Sequence, residues 1–303
     1  MSTRIVTKSL ALGSLGRGCR GGLVWCRFNS SARWVSRQQA DHYTNEAKVK
    51  SLRSRAAFKL MEIDHRFKIF KENSAQKVLD LGFAPGAWSQ VAYSRTRPDG
   101  QVMGVDILPC IPPKGVSSIQ ANILSSKTHE LVRLYFSRHY QLNMEDDLHK
   151  NHGYFQEALE AELGNTNLSK ENTQPLIKYP LDVIISDMYE PWPQTTGFWN
   201  NFTNAAYHRM ANTTGVAIKD HYMSMDLCDA ALVCAIDLLK PDGSFVCKLY
   251  TGKEDNLLEK RMKQVFRSVR RFKPKASRDE SKELYFVGLN KRKDVDKVKV
   301  FSI

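Results

Sequence analysis

The chain has 303 residues, 42% of them hydrophobic, and a formal net charge of +13. This length and apolar content allow one substantial buried core, and the excess positive charge favours a polyanionic partner such as RNA. We expect neither a membrane-spanning helix nor a structural metal, because no apolar run approaches ~20 residues and the six cysteines lack C-x-x-C pairs and zinc-finger spacing.

Residues 1–40 form a basic N-terminal segment with seven Lys and Arg and no acidic residue, and without it the net charge falls to +6. Its Arg, Ser and Gly, with scattered Leu and Val, are typical of a mitochondrial transit peptide, which predicts a protein of the mitochondrial matrix. The alternative is a disordered basic arm that remains on the protein and binds RNA.

Between Thr44 and Phe70, apolar residues recur at spacings of three and four and predict one amphipathic helix. Lys59 lies at the border of the apolar stripe. Most lysines in such a position simply extend their ammonium into solvent, so Lys59 on its own is a weak signal.

A strand, a glycine turn and a helix start follow one another at residues 77–92. Lys77–Leu81 is apolar and predicts a buried strand, Gly82, Pro85 and Gly86 form the turn, and a helix starts near Trp88. Such a unit forms a pocket at the carboxyl edge of an α/β sheet. It lacks G-x-G-x-x-G and G-K-[ST], which favours a nucleoside such as S-adenosylmethionine over a pyrophosphate. A purely structural turn is the alternative.

Two other predicted strands end in a carboxylate. Gln101–Asp106 places Asp106 where α/β nucleotide sites hold ribose hydroxyls. Leu181–Asp187 is the clearest buried strand of the chain and ends at Asp187. We therefore expect both carboxylates at the edge that carries the glycine turn.

The segments around these strands complete the middle of the chain. Val116–Gln120 predicts a third strand that ends near Asn122, and Ser126–Phe136 predicts a helix. Residues 137–178 are polar with little periodicity, and we interpret them as an insertion outside the core. Met188–Phe198, rich in Pro, Trp and Thr, predicts an irregular loop over the pocket.

The C-terminal third begins with a predicted helix, Met225–Leu239, and a turn at Lys240–Gly243. The strand Ser244–Tyr250 follows and contains Lys248, whose burial is costly unless it is paired or lies at the open end of the strand. Glu283 precedes a final strand, Leu284–Leu289, which follows no crossover helix and is expected to enter the sheet antiparallel. The charged tail from Lys291 is expected to be loose.

A basic zone begins in the predicted helix Leu257–Phe266 and extends to Arg278, with Phe266 and Phe272 interleaved. Such a zone is either a solvated face or a surface that contacts an RNA backbone, and the sequence leaves both open. Strands alternating with helices indicate one doubly wound α/β domain over residues 41–292, followed by a charged tail, 293–303.

Five separated motifs resemble the FtsJ family of ribose 2′-O-methyltransferases, and they occur in the order of the family over about residues 45–292. The motifs are SRAAFKL at 54–60, DLGFAPGAWSQ at 80–90, SDM at 186–188, VCKL at 246–249 and SKE at 281–283. The resemblance implies a Rossmann-like methyltransferase sheet with helices on both faces. It also implies S-adenosylmethionine as the methyl donor, a ribose 2′-hydroxyl of RNA as the acceptor and no metal.

The resemblance assigns roles to residues of this chain. Its Lys-Asp-Lys-Glu catalytic set falls on Lys59, Asp187, Lys248 and Glu283. With the neighbouring turn residues, the expected cofactor site comprises Gly82, Pro85, Gly86, Ala87, Trp88, Asp106, Asn122, Ile123 and Asp187. The resemblance and the transit-like N terminus together imply a fungal mitochondrial member of the family. Such a member methylates a uridine in the peptidyl-transferase A-loop of large-subunit rRNA, as free rRNA or within its pre-ribosomal particle. We expect the protein to be a monomer.

The chain departs from the family at two positions. Ala87 stands where relatives often have a second glycine, and its methyl is tolerated only if φ stays negative. Asn122 replaces an aspartate expected to accept from the adenine amine, and its carbonyl oxygen can still accept. We therefore expect somewhat weaker cofactor affinity.

The role of Lys248 is open from the sequence. The 2′-hydroxyl must lose its proton as it attacks, and a neutral Lys248 could accept that proton, whereas a cationic Lys248 could orient the oxygen lone pair. Burial and Lys59 lower the pKa of Lys248, whereas Asp187 and Glu283 raise it. Alternative functions are methylation of a tRNA or an mRNA cap, or ribosome assembly by an RNA-binding protein whose catalytic site is vestigial.

Overall fold

The computed structural model describes residues 40–71, 74–137, 177–189, 213–214 and 216–303. The predictions for the N-terminal segment, for almost all of the 137–178 insertion and for the loop beyond Tyr189 lie outside the described residues. The folded unit that carries the site spans His42–Ile303. None of its described helices has the length and apolar character required to cross a membrane.

The described residues form helices and strands in alternation over most of the chain. The helices are α1 His42–Val49, α2 Ala56–Phe67, α3 Ala87–Thr96, α4 Ser126–Ser137, α5 Ala217–Leu238, α6 Asp255–Val265 and α7 Lys297–Phe301. The strands are β1 Lys77–Leu81, β2 Gln101–Asp106, β3 Ser117–Gln120, β4 Leu181–Ser186, β5 Leu239–Tyr250, β6 Phe266–Phe272 and β7 Glu283–Lys291.

One mixed sheet holds these strands in the order β3-β2-β1-β4-β5-β7-β6. The strands from β3 to β5 pair in parallel, and β7 is antiparallel to both of its neighbours, β5 and β6. The predicted α/β class and the antiparallel last strand are therefore confirmed. The strands β1, β2, β4 and β5 end at one edge, which also receives the start of β7.

Helices cover both faces of the sheet because successive strand side chains point to opposite sides. On one face, α2 and α3 pack on residues such as Val78 and Val246. On the other face, α4, α5, α6 and α7 pack on residues such as Leu79 and Phe245. Two apolar layers thus enclose the strands and fix the edge at which they end.

The single helix predicted over Thr44–Phe70 is wrong, since α1 and α2 are separate helices. The chain turns at Ser51, whose φ is +53°. Hydrogen bonds to another element replace helical ones here: Arg53 N donates to Gln90 Oε1, and Gln90 Nε2 donates to Ser51 O. Apolar spacing continues across the break, which is why the sequence did not reveal it.

The C-terminal third differs from prediction in three places. The helix α5 begins eight residues before Met225, and the predicted turn at Lys240–Gly243 is an irregular start of β5, where the register with β4 shifts. The strand β6 lies inside the basic zone, where charged residues obscured its pattern. The expectation of a loose tail is also wrong: α7 buries Val300, and Lys291 Nζ donates to the carbonyls of Ile236 and Leu239.

Candidate active site

The glycine turn follows β1 and needs glycine at two positions. Gly82 has a φ of +70° and Gly86 a φ of +100°, a region that other residues rarely adopt. A Cβ on Gly86 would lie 2.9 Å from Pro113 Cδ, and one on Gly82 would lie 2.5 Å from Met188 Cγ. Gly82 N donates to Val105 O at 2.8 Å, so the turn is fixed to β2. Glycine is therefore required here both for the path of the backbone and for its close packing against Pro113 and Met188.

Arg53 fastens the turn from the segment between α1 and α2. Its guanidinium donates to Pro85 O at 2.8 Å and also to the carbonyls of Ile111 and Pro112 in the loop after β2. The sequence analysis missed this role, because nothing local marks an exposed arginine as a clamp. Ala87 is the first residue of α3 and is absent from the positive-φ residues, so the condition set for its methyl group is met.

Asp106 ends β2 beside the turn, as predicted. Its Oδ2 accepts from Ala84 N and its Oδ1 from Leu108 N, both at 2.9 Å. Burial raises the pKa of Asp106, and these backbone donors act in the opposite direction. The carboxylate therefore shapes the turn, and its contact with a ribose stays a prediction.

Asn122 and Ile123 lie in the loop after β3. Asn122 Oδ1 accepts from Leu124 N at 2.9 Å and its side chain is exposed. A carbonyl oxygen has a second lone pair, so the contact with an adenine amine stays possible and stays a prediction. Ile123 is buried, and its carbonyl oxygen contacts His129 Nε2 at 2.9 Å.

Asp80 is a carboxyl group that the sequence analysis did not select. It is fully buried in β1, where its Oδ2 accepts from Ser89 Oγ at 2.6 Å. Its Oδ1 accepts no hydrogen bond from any residue that the structure describes. Burial foremost, with the charges of Asp187 and Asp106, raises the pKa of Asp80 to about 8. A lone acid in the apolar run Val78–Leu81 was the signal that could have revealed it.

Two lysines and two acids from the predicted catalytic set form two ion pairs. Lys248 Nζ donates to Asp187 O at 2.7 Å and lies 3.1 Å from Asp187 Oδ1. Lys59 Nζ lies 2.8 Å from each carboxylate oxygen of Glu283. The side chains of Lys248 and Glu283 are each 8% exposed, so these are pairs largely withdrawn from solvent.

Strand register brings the two pairs to the same place. In the pairing of β5 with β7, Lys248 lies opposite Tyr285, and Tyr250 lies opposite Glu283. Asp187 directly follows β4, which is the other neighbour of β5. Lys59 reaches Glu283 from α2, which packs on this face of the sheet. The resemblance implied that the four residues form one set; which lysine pairs with which acid became visible only in the fold.

The charges at the site set the protonation of Lys248. Burial disfavours its ammonium, but Asp187 foremost, with Tyr250 and Glu283, outweighs burial and raises the pKa of Lys248 above its ordinary value. For Glu283, burial is likewise outweighed by the Lys59 ammonium, and its pKa is lowered. The sequence left open whether the pKa of Lys248 is raised or lowered. In the structure it is raised, so Lys248 is an ammonium in the protein without substrate.

Trp88 connects the glycine turn to the ion pairs. Its Nε1 donates to Ala56 O at 2.9 Å, and its ring lies 5.6 Å from the ring of Tyr285. Tyr285 Oη in turn donates to Asp187 Oδ1 at 3.1 Å. Trp88 is 2% exposed, so its main contacts are within the protein, and a contact with a cofactor stays a prediction.

Comparison with known proteins identifies the family. The family model described as FtsJ-like methyltransferase matches residues 52–291. The chain belongs to the FtsJ-like methyltransferase family. The match includes the glycine turn, both ion pairs and the whole sheet, which confirms the resemblance drawn from the five motifs.

Relatives of this FtsJ-like methyltransferase include two yeast proteins named "rRNA methyltransferase 2, mitochondrial". The Saccharomyces cerevisiae protein is 60% identical, with 97% of each chain covered. The Schizosaccharomyces pombe protein is 35% identical over 86% of this chain and 95% of that one. A crystal structure of a ribosomal RNA methyltransferase from Plasmodium falciparum has a TM-score of 0.51 at 24% identity, covers 80% of this chain and 100% of that one, and shows the shared fold.

Many cations in the basic zone of this FtsJ-like methyltransferase have acidic partners. The pairs are Arg261 with Asp229, Lys263 and Arg271 with Glu259, and Arg267 with Asp242. Lys273 Nζ donates to two backbone carbonyls, those of Asp279 and Ser281. This pairing favours a solvated, self-neutralised face for much of the zone, and RNA contact there stays a hypothesis.

Proposed function

We propose that this protein transfers a methyl group from S-adenosylmethionine to a ribose 2′-hydroxyl of RNA. The observation that carries the proposal is the pair of buried ion pairs, Lys248 with Asp187 and Lys59 with Glu283, next to the glycine turn. Lysine and carboxylate side chains that polarise one another are suited to activating a hydroxyl group.

We further propose that the substrate is a uridine in the A-loop of mitochondrial large-subunit rRNA, modified in the matrix during ribosome assembly. The names of the two yeast relatives support an rRNA substrate and a mitochondrial location. The acid-free residues 1–40 support import.

The residues of the turn suit a nucleoside. Gly82 and Gly86, both at positive φ, carry no side chain along the turn that would hold it. Asp106 and Asn122 would hold the ribose and the adenine. When bound, S-adenosylmethionine supplies a methyl group made electrophilic by its sulfonium.

Lys248 acts in this mechanism as a cation. An ammonium has three N–H donors, and Asp187 engages two of them through its carbonyl and carboxylate oxygens. The third donates to the ribose oxygen and fixes the lone pair that attacks. We assign the proton that leaves the hydroxyl to the Asp187 carboxylate. Positioning then accounts for much of the acceleration, as expected for an in-line displacement.

Lys59 and Glu283 hold the second charge pair beside this centre. The Glu283 carboxylate helps to keep Lys248 protonated, and Lys59 balances the negative charge that Glu283 would otherwise add. Removing Lys59 leaves a buried carboxylate without its partner, which is costly. We therefore expect both pairs to be required for activity.

Methyl transfer to defined RNAs tests the proposal. The full chain is incubated with labelled S-adenosylmethionine and either large-subunit rRNA or tRNA transcripts, and the methylated nucleotide is mapped. Lys248→Met should lose about 10²–10⁴-fold in rate, whereas Lys282→Met, an exposed neighbour of Glu283, should match the wild type. A 2′-O-methyl group on tRNA alone would move the substrate assignment, and a Lys248→Met protein at wild-type rate would end the mechanism.

A deletion strain separates catalysis from ribosome assembly. Loss of one 2′-O-methyl group from mitochondrial rRNA supports the substrate assigned above. If Lys248→Met restores ribosome assembly but not the methyl group, the protein also acts as an assembly factor. A reporter fused to residues 1–40 that stays in the cytosol would contradict the proposed import.

A further inference from the structure

Tyr189 lies two residues after Asp187 and faces the ammonium at the centre of the site. Lys248 Nζ lies 5.9 Å from the centroid of the Tyr189 ring. A cation over an aromatic face at this distance is attracted by the ring. Tyr189 is half-buried, so part of the residue remains accessible to solvent beside Asp187.

The Tyr189 ring is held at two points by other elements. Its hydroxyl donates to Asp220 Oδ1 at 3.0 Å, and Asp220, in the first turn of α5, is 5% exposed. Asp220 Oδ1 also accepts from Thr214 N at 2.7 Å. The ring meets that of Tyr250 edge-to-face, with centroids 5.7 Å apart. A tyrosine fixed in this way has lost its rotational freedom before any ligand arrives.

A rigid, partly exposed ring beside the attacking site is suited to hold a nucleobase. An RNA base can be recognised by an aromatic side chain only after it leaves its own stack. Stacking on an aromatic ring is favourable for any base, and pre-organisation of the ring reduces the entropy lost on binding. The ribose attached to such a base would then lie beside Lys248.

We propose that Tyr189 is a stacking platform that positions the target nucleotide, with its unstacked base on the ring and its 2′-oxygen at Lys248. This inference rests on the proposed RNA methylation and adds a positioning residue outside the two ion pairs. Asp220 acts through Tyr189 by fixing the orientation of the ring. Lys248 contacts the 2′-oxygen of the ribose, and Tyr189 contacts the base.

A double-mutant-type cycle tests the platform: one change is made in the protein and one in the RNA, and their effects are measured singly and together. One change is Tyr189→Leu, which removes the ring; the other is an RNA in which the target nucleotide keeps its ribose 2′-hydroxyl but lacks its base. With intact RNA, Tyr189→Leu should raise the KM for RNA about ten- to a hundredfold, the size expected for loss of one stacked base. With the abasic RNA, the same substitution should have little effect, because both changes remove the same contact.

If Tyr189 only holds Lys248 in position and does not contact the base, a different result is expected. Tyr189→Leu would then lower kcat equally on the intact and the abasic RNA, and that outcome would overturn the platform. Tyr189→Phe keeps the ring and loses the bond to Asp220 that orients it, so it should raise the KM for the intact RNA less than Tyr189→Leu does. If Tyr189→Leu does not fold, Tyr189→Phe and Asp220→Asn are compared instead; both should raise the KM only on the intact RNA, and equal effects on both RNAs would reject the proposal.

The wild-type protein separates this inference from the function on which it rests. The intact RNA is the one whose methylation was mapped, and binding of S-adenosylmethionine is measured for every variant. A wild type that methylates neither rRNA nor tRNA contradicts the proposed function. A wild type that is active, with additive effects in the cycle, contradicts only the platform.

Discussion

At the scale of single residues, protonation distinguishes this site from a generic lysine-carboxylate cluster. The surroundings raise the pKa of Lys248, whereas burial raises the pKa of Asp80 to about 8. One group therefore keeps its charge and the other tends to lose it, although both are buried. Each shift leads to a measurable dependence on pH.

The rate of methyl transfer should report the charge of Lys248. As a cationic donor, Lys248 is already in its active form at neutral pH, and because its pKa is raised it stays so well above pH 8. We expect kcat to be flat from about pH 7 to 10, because the raised pKa places loss of the Lys248 proton above this range. A rate that rises tenfold per pH unit across this range would show that neutral Lys248 accepts the proton. Single-turnover rates with saturating substrates avoid a limit set by product release.

Asp80 should make the folded protein less stable as the pH rises. Its pKa is about 8 in the folded protein against 3.8 ordinarily, so between these values the folded state binds the proton and the unfolded state does not. The free energy of unfolding therefore falls through this window, by an amount on the order of a few kcal/mol. Below pH 3.8 Asp80 does not change the free energy of unfolding, and above about pH 8 the full decrease is present.

Asp80→Asn tests this assignment. Its amide oxygen can accept from Ser89, and its charge does not change with pH. We expect the gain in stability over the wild type to grow from pH 4 to pH 8, as measured by urea unfolding at several pH values. A gain that is independent of pH would contradict the raised pKa.

At the scale of elements, the glycine turn depends on a segment that precedes it. The link between α1 and α2 supplies Arg53, whose guanidinium holds one carbonyl of the turn, Pro85 O at 2.8 Å, and two carbonyls of the loop after β2. A planar guanidinium can bridge several acceptors at once, which a lysine cannot do in the same geometry. The link therefore helps to hold the turn of the proposed cofactor site in position.

Arg53→Gln should weaken binding of S-adenosylmethionine about tenfold, because the turn loses its fixed position and hydrogen bonds from charged donors are among the stronger ones. The rate at saturating cofactor should change little. Arg66→Gln, at an exposed arginine of α2, is the matched control. Calorimetric titration measures both, and equal affinities for the two variants would remove Arg53 from the site.

Sequence patterns predicted the elements with strong local signals and missed those set by distant contacts. The unit from Lys77 through Gly86 was predicted because apolar strand, turn and helix start are all local features. The break at Ser51 was missed because the hydrogen bonds that hold it come from Gln90, far along the chain. Asp187 and Lys248 were selected as edge residues, but their pairing depends on strand order, which no single strand contains.

At the scale of the whole molecule, the C-terminal residues close one apolar layer. The helix α7 places Val300, 1% exposed, on the core behind α5 and α6, while Val298 in the same helix is 77% exposed. The sequence suggested a loose tail because its charges outnumber its apolar residues. A few buried side chains suffice to fix it.

Val300→Ala should destabilise the protein by about 1–3 kcal/mol, since buried methyl groups are lost and a cavity remains. Val298→Ala makes the same chemical change in the same helix at an exposed position and should alter stability by less than about 0.5 kcal/mol. Urea unfolding midpoints compare the two. Equal effects would mean that α7 does not pack on the core in solution.

The pairing of Lys59 with Glu283 has a consequence for the synthesis of the protein. The two residues are 224 positions apart, and Glu283 opens the last strand of the sheet. A nascent chain that has not passed residue 283 lacks the carboxylate that Lys59 needs, although it already contains the glycine turn, Asp187 and Lys248. On the proposed mechanism, chains released before residue 283 should therefore lack methyl-transfer activity, and translation must be almost complete before activity is expected.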